Sequence, residues 1–550
     1  MVSSRTRDLA LLLASRASIT GSPGEEAFGP FLADLLRASP AFEGHPEDVR
    51  LVDTLDDRRR RKVVFGLLRG RGKKTVLLTG HYDVVGVDGY CRLKDKAFDP
   101  AALAPALIAE LEGARDESIR RGLPPNPAET LALDDLRSGV FIAGRGLLDM
   151  KAGLAAGIAV LERFAASPER EGNLLFMAVP DEEGSSHGMR SALRILPALL
   201  AEWGLETVIA VNMDSAVDQG EGEAARAVFM GSVGKSHPFV LFRGRPTHAG
   251  APFDGVNASL LSAEFARLVE SAPAVLGAAP DSDSEPPPPP TVLYHRDLRN
   301  YYDVTCPASV FVSLNVLTHD SSPREILARL GDRALEAMLS ALGILSRRAA
   351  EQARRSATPT HSRGGSPRVV TWSELAAKAG ISDRDAYEKA RAALFAAADA
   401  VPALAVFVDA CVDIAGLEGP LAITGLAPPW YPRAALAPED AGIAQLVAET
   451  VAVFSRESGV EVALRPFFPG ISDMSYLSPA DAPEARIEAG AESPFGLDAG
   501  PSAFRVPAIN AGPWGRDYHQ RLERLHAAYA FESLPELLWR LATAVLRGGA

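Results

Sequence analysis

Three carboxylates arrive in succession where an apolar run stops, in Ala178-Val179-Pro180-Asp181-Glu182-Glu183-Gly184. The run before them, Asn173 to Pro180, reads as a buried strand of a parallel sheet, because Leu174, Leu175, Phe176, Met177 and Val179 leave neither face polar. Neighbouring carboxylates repel one another and lose hydration when gathered, so a fold that collects them at a strand end neutralises them with cations or raises one pKa. Alone, an Asp-Glu-Glu is more often a solvated acidic turn, and its meaning depends on the rest of the chain.

Four further positions have the same character. Thr75 to Thr79 reads as a strand leading into Gly80-His81-Tyr82-Asp83-Val84-Val85, where a histidine just past a strand, with an acid two residues on, suits a metal ligand whose second ring nitrogen is held by a carboxylate. A structural histidine satisfied by its neighbours is the competing reading. Thr207 to Met213 is another apolar strand, and it ends in Asp214. Asp149, in Gly144-Arg145-Gly146-Leu147-Leu148-Asp149-Met150-Lys151-Ala152-Gly153, stands before a helix spanning Leu154 to Phe164, where an acid serves as a cap or as a ligand. Val506 to Asn510 is a short strand running into Gly512-Pro513-Trp514-Gly515-Arg516-Asp517-Tyr518-His519, with Glu523 one helical turn beyond. In an open α/β sheet ligands bind at the carboxyl ends of the strands, so these residues can converge. Two histidines with carboxylates suit zinc or a similar divalent ion, and one bridging carboxylate can hold two ions about 3.5 to 4 Å apart.

Two other stretches imitate binding loops and fail. Gly144 to Gly153 lacks the third glycine of a dinucleotide loop, its place being taken by Asp149. Gly231-Ser232-Val233-Gly234-Lys235-Ser236 lacks the leading glycine of a phosphate loop, position 229 being Phe.

Composition narrows the class. The 550 residues exceed one ordinary core, and 47% hydrophobic with 23% charged residues is a usual soluble balance. The formal charge of -13 argues against nucleic acid, and the one basic run, Arg58 to Lys62, follows Asp53, Asp56 and Asp57 and reads as a solvated turn. Cys91, Cys306 and Cys411 are too scattered for a disulfide framework or a thiolate zinc site, which fits a reducing cytoplasm. Leu9 to Ala14, crowded by Arg5, Arg7, Asp8 and Arg16, reads as a helix and as neither signal peptide nor membrane span.

The elements around these positions predict an α/β fold, a mostly parallel sheet covered by helices, with an inserted α/β lid domain. Residues 1–235 are expected to form the first part of the main domain, 236–434 the insertion and 435–550 the second part. Tyr90 to Ser138, helical from Ala101 to Arg121, reads as a further insertion between two parts of a site. In 236–434 the sequence predicts strands at Pro238 to Arg243 and Val310 to Leu317, an edge strand near Leu421 to Leu426, and helices at Asn257 to Ser271, Arg324 to Arg348, Trp372 to Lys378, Asp383 to Ala398 and Pro402 to Ile414. Asp281 to Pro290 and Arg354 to Arg368 read as exposed loops.

The motifs Gly80 to Val85, Gly144 to Lys151, Asp181 to Gly184, Gly244-Arg245-Pro246-Thr247-His248-Ala249-Gly250 with Asn257-Ala258, and His519 with Glu523 occur in an order that resembles the di-zinc metallopeptidase and amidohydrolase family of aminoacylase, glutamate-releasing carboxypeptidases, acetylornithine deacetylase and succinyl-diaminopimelate desuccinylase. The length, the 90–138 insertion and the stretch from Tyr294 to Leu317 look most like its RocB-type branch, linked to arginine degradation. The resemblance implies two divalent ions, zinc with cobalt or manganese as options. Asp149 would bridge them, His81 and Asp214 completing one position, Glu183 and His519 the other. It further implies that Asp83 orients His81, that Glu182 is the general base, and that the peptide after Asp149 is cis. His248 falls where the family places a lid histidine that stabilises the oxyanion, commonly from a partner subunit, and Asn257 at a lid position in contact with substrate. Turn residue and helix cap are the competing readings of these two.

Ser472, in the turn Gly470-Ile471-Ser472-Asp473, is a candidate for a substrate carboxylate, and His187 reads as structural. The implied activity is metal-dependent hydrolysis of an amide bond in an N-acyl amino acid or short peptide, the partner being that small molecule, with neither nucleic acid nor membrane. The oversized insertion implies a homodimer through the lid domain or a monomer supplying both lid halves. The alternative is a metal-containing binding or regulatory protein without catalysis.

Overall fold

An unbroken apolar run buries both faces of a strand, so its sheet must carry helices on each side. In the computed structural model, which describes residues 2–218, 220–273, 275–276, 287–319, 321–356, 365–397, 399–481, 483–496 and 504–548, the run ending at Val179 has that environment. In chain order the strands are β1 (Val49–Asp53), β2 (Lys62–Leu68), β3 (Arg71–His81), β4 (Phe141–Ala143), β5 (Glu171–Val179), β6 (Glu206–Asn212), β7 (Ala216–Val217), β8 (Ala227–Phe229), β9 (Gly231–Ser232) and β10 (Gly234–Arg243). They continue with β11 (Thr291–Asp297), β12 (Ser309–Thr318), β13 (Arg368–Thr371), β14 (Leu421–Tyr431), β15 (Ala434–Ala435), β16 (Ala463–Arg465), β17 (Ala508–Asn510), β18 (Trp514–Arg516) and β19 (Arg524–His526).

Eight strands make the large sheet, in the order β1-β2-β5-β3-β6-β17-β8-β16. Its centre, β5-β3-β6-β17, is parallel, and β1 and β2 run antiparallel at one margin. The register aligns the strand ends: His81 pairs with Val179, Thr79 with Asn212, and Asn212 with Asn510. Side chains just past β3, β5 and β6 therefore emerge at one edge of the sheet.

Helices cover both faces. On one, the helices Pro23–Arg37, Ala152–Ala165 and Leu534–Arg547 share a core with Val76, Leu78, Phe176 and Val211. On the other, His187–Trp203 packs over Leu77, Leu175, Met177 and Val179. The helix Ala152–Ala165 is rich in Ala and Gly and lies close to the sheet, since a Cβ on Gly157 would meet the Met213 sulfur at 2.7 Å.

Residues 234–431 build a second, five-stranded sheet, β11-β12-β10-β14-β13. The helices Ala258–Val269 and Pro323–Arg355 lie on one face and Trp372–Ser382, Arg384–Ala396 and Ala400–Ile414 on the other. Contrary to the edge position expected for Leu421 to Leu426, β14 lies between β10 and β13. Its prolines, Pro428 and Pro429, fall where the register with β10 slips between Lys235 and His237, so no ladder bond is missed. Arg368 begins β13 rather than ending a loop, and Arg354 and Arg355 belong to the preceding helix. Residues 281–286 and 357–364, in the two expected loops, lie outside the described residues. The imitation phosphate loop is extended chain, forming β9 and the start of β10.

The 88–138 segment folds on its own apolar cluster of Tyr90, Leu103, Leu107, Leu133 and Leu136. Its helices are Pro100–Arg120, capped by Asp99, and Pro127–Ser138, capped by Asn126 and stopped by Gly139 at φ 72°.

Candidate metal centre

His81 is the last residue of β3, and its ring is fixed from behind. Nδ1 lies 3.0 Å from the Asp83 carbonyl, which can only accept, so the proton belongs on Nδ1 and the Nε2 lone pair faces outward. The Asp83 carboxylate is farther from the ring, at 3.6 Å. It accepts the backbone amides of Glu182 at 3.1 Å and Glu183 at 3.2 Å and the Thr20 hydroxyl at 2.9 Å. Asp83 thus holds the ring through its main chain and the acidic loop through its side chain. Met150 packs beside them, its sulfur accepting the His81 amide at 3.2 Å, and a Cβ on Gly80 would collide with its methyl at 2.2 Å.

Asp149 sits in the turn Leu147–Lys151, entered through Gly146 at φ 72°, where a Cβ would meet Val84 at 2.4 Å. The Asp149-Met150 peptide is cis, as the resemblance implies. The two carboxylate oxygens face different imidazoles: Oδ1 lies 3.2 Å from His81 Nε2, and Oδ2 lies 2.9 Å from His519 Nε2. Asp214 Oδ1 is 3.8 Å from His81 Nε2, and Glu183 Oε1 is 3.0 Å from His519 Nε2. Glu182 brings Oε2 to 4.0 Å from His81 Nε2. The groups His81-Asp149-Asp214, Asp149-Glu183-His519 and His81-Glu182-Glu183 each present donor atoms within 4.8 Å of one another. Only Asp149 belongs to both of the first two.

The third acid of the loop has another task. Asp181, at φ 67°, is held by the Arg61 guanidinium, accepts the Ser185 hydroxyl at 2.7 Å and accepts the His187 amide at 3.1 Å. Arg61 also pairs with Asp57 at 2.8 Å and Glu25 at 3.2 Å. The basic run is therefore not wholly a solvated turn, since Arg61 is 6% exposed and anchors the acidic loop from beneath. The His187 ring is tied to the Leu55 carbonyl at 2.6 Å, a structural place.

Behind Asp214 lies an amide network that its sequence does not announce. Asn510 Oδ1 accepts the Asp214 amide at 3.1 Å and Asn212 Nδ2 at 3.1 Å, and Asn510 Nδ2 donates to the Asp214 carbonyl at 3.0 Å. Asn212 also donates to the Ser472 hydroxyl at 2.7 Å. Ser472 is fully buried in this network.

His519 comes from the hairpin between β18 and β19, in a four-stranded sheet ordered β4-β19-β18-β7. β4 leads to Asp149 and β7 follows Asp214, so this small sheet fixes three segments of the cluster relative to one another. The residues after His519 are turns, with Glu523 meeting β19 rather than standing on a helix. Glu523 pairs with Arg145 and accepts the Gly146 amide at 2.9 Å, while Arg145 donates to the His519 carbonyl at 3.2 Å.

The donor set carries the electrostatic mark of a cation site. Burial raises Glu182, and neighbouring acids add to the effect. Burial and then Asp149 raise Glu183 to about 7, and burial raises Asp214. Burial opposes the ionisation of Asp149, but hydrogen bonds from His519 and His81 outweigh it and hold this carboxyl below its ordinary range. Burial likewise opposes the charging of His519, and contacts with Asp149 and Glu183 prevail, raising it to about 11. Protons and a divalent cation would compete for the same lone pairs, and the residues fit a pair of such ions.

His248 and Asn257 are not brought to this cluster. His248 is exposed on the turn after β10, where its Nδ1 accepts the Gly250 amide at 3.0 Å, and Asn257 caps the helix Ala258–Val269 by accepting the Ser259 amide at 2.9 Å. Asp473, beside Ser472, is 1% exposed and pushed up to about 7 by burial.

Residues 125–504 match Peptidase family M20/M25/M40. The chain is 32% identical to "Uncharacterized protein YqjN" of Bacillus subtilis, over 99% of this chain and 97% of that protein. It is 26% identical to "Protein RocB" of the same organism, over 99% and 95%. In fold it resembles the crystal structure of a tripeptidase from Staphylococcus aureus, with a TM-score of 0.53 and 15% identity over 99% of both chains. With a RocB-like chain, a family match across most of its length, and a sheet edge that gathers histidines and acids, this protein belongs to Peptidase family M20/M25/M40 and is a metallopeptidase or amidohydrolase.

Proposed function

We propose that the protein hydrolyses an amide bond in an N-acyl amino acid or short peptide, with two divalent cations held at the edge of the large sheet. The observation that carries this reading is the placement of the Asp149 carboxylate, with one oxygen toward His81 and the other toward His519. In this reading His81, Asp149 and Asp214 hold one ion and Asp149, Glu183 and His519 the other. Zinc, cobalt or manganese so held would polarise the scissile carbonyl and lower the pKa of a water molecule.

The chain's own residues then divide the work. Glu182, which faces His81 and belongs to neither of the two groups that share Asp149, takes the proton from the attacking water, then passes it to the departing nitrogen. Its burial, with the acids Glu183 and Asp214 near it, keeps its affinity for that proton high. Asp83 sets the direction of both glutamates through their amides. His248, exposed on the inserted domain, acts in this reading from a second copy docked through that domain.

The test is to supply zinc- or cobalt-loaded protein with a panel of N-acyl amino acids and dipeptides and to follow released amines by mass spectrometry. Release that stops with a chelator and returns with metal supports the reading. Two bound ions with no member cleaved would favour a binding protein on the same fold.

A further inference from the structure

The 88–138 segment contributes none of the cluster's donors, yet its side chains reach the frame of the cluster, Glu110 through Arg521 and Asp135 through the base of the His519 hairpin. β18 and β19 form the base of the His519 hairpin, and their register sets Arg516 directly opposite Arg524. Like charges across an antiparallel pair repel, and more strongly where water does not screen them. Arg524 is 1% exposed. One carboxylate, from the helix Pro127–Ser138, lies between the two arginines. Asp135 accepts Arg516 Nη1 on both oxygens, at 2.8 and 2.7 Å, and accepts Arg524 Nε at 2.7 Å.

The outer hydrogen bonds of the two arginines extend this join. Arg516 Nε donates to Asp218 at 2.8 Å, just after β7, and Arg524 pairs with Asp517 inside the hairpin. Asp517 and His519 both have left-handed backbone, at φ 54° and 61°, a conformation that costs a non-glycine residue energy and needs an outside brace.

We infer that Asp135 is a positioning residue for His519, by which the 88–138 segment sets the hold of the Asp149-Glu183-His519 group on its metal ion. This rests on the two-ion reading above. Ligand-orienting groups outside a metal's own donors change affinity by about 10- to 100-fold. The effect should fall more on this ion than on the other, because His519 is carried by the braced hairpin itself, whereas His81 and Asp214 follow β3 and β6 and Asp149, shared by both groups, follows β4.

The experiment is a zinc titration of the full-length apoprotein and three variants, read as equivalents and affinities, with thermal unfolding of each apoprotein. Wild type should bind two ions, and His519→Ala should identify which affinity is lost with that ligand. Asp135→Asn should weaken the same ion by about 10- to 100-fold and the other by clearly less. Asp134→Asn, at the exposed neighbouring position, should match wild type. Asp135→Asn combined with Arg516→Gln removes the acid together with one of the facing cations, so it should fold even if the single variant does not, and regain part of the lost affinity. Wild-type affinities in Asp135→Asn, equal weakening of both ions, or an additive loss in the double variant would overturn the inference. A wild type that binds no divalent ion would instead overturn the two-ion reading.

Discussion

The Asp83 carboxylate accepts the Glu182 amide at 3.1 Å across a sequence separation of 99 residues. With the Glu183 amide on its other oxygen, this fully buried acid fixes where two glutamates point. Asp83→Ala should cost about 4 to 5 kcal/mol of stability, from three charge-assisted hydrogen bonds, the third from Thr20, worth roughly 1.5 kcal/mol each, seen as a lower denaturant midpoint. It should also lower kcat more than it raises KM, because the glutamates lose their orientation while the rest of the cleft stays. Asp83→Asn, which keeps one carbonyl acceptor, should lie between the variant and wild type.

Asn510 offers a test that avoids every proposed ligand and the proposed base. Its amide satisfies both main-chain groups of Asp214 and the side chain of Asn212. Asn510→Ala strands buried polar groups at about 1–3 kcal/mol each. The expected result is a destabilised protein with weakened metal binding on the Asp214 side, read by zinc titration. Asn510→Asp, which accepts but cannot donate, should also lose the bond to the Asp214 carbonyl.

The inserted sheet should be acid-sensitive through His237. Burial first, and Lys235 next among the lowering effects, depress this imidazole to about 4, although the Pro428 carbonyl favours its charged form. Its ring spans Pro428 O at 2.9 Å and Ser313 Oγ at 3.0 Å. A depressed histidine is neutral when folded, so its stability contribution is complete above the unfolded pKa of 6.5 and is lost as pH falls toward 4. The loss amounts to about 3 kcal/mol over that interval. Urea midpoints measured from pH 7 to 4 should fall less steeply in His237→Gln than in wild type.

Metal removal should act on stability as well as turnover. Ions that bind only the folded chain stabilise it by about 2.7 kcal/mol at a hundredfold excess over Kd. Dialysis against a chelator should therefore lower the melting temperature, and zinc should restore it in a concentration-dependent way. The same melting temperature with and without metal would contradict the proposed site.

The fold was legible where one apolar run implied one buried strand, as at Leu174 to Val179 and Thr207 to Met213, because two-sided burial leaves a continuous hydrophobic signature. The strand-end residues His81, Glu183 and Asp214 were legible for the same reason. What stayed hidden depends on partners remote in sequence. Arg61 has the sequence context of a solvated residue and becomes buried only because Glu25, Asp57 and Asp181 converge on it. Asn212 and Asn510 are ordinary strand-end residues until the parallel register places them side by side. β14 carried prolines that argue for an edge, and only its slipped register with β10 accommodates them in the interior of a sheet.

The most direct measurement compares wild type with Glu182→Gln, both loaded with metal and given the cleaved substrate in single-turnover assays. Glu182 faces His81 without contributing to either of the two groups that share Asp149, so its amide should leave both ions bound. The account predicts unchanged metal content with a rate lower by about 10²- to 10⁴-fold, the usual contribution of a positioned general base. Undiminished turnover in Glu182→Gln, with both ions confirmed bound, would contradict it.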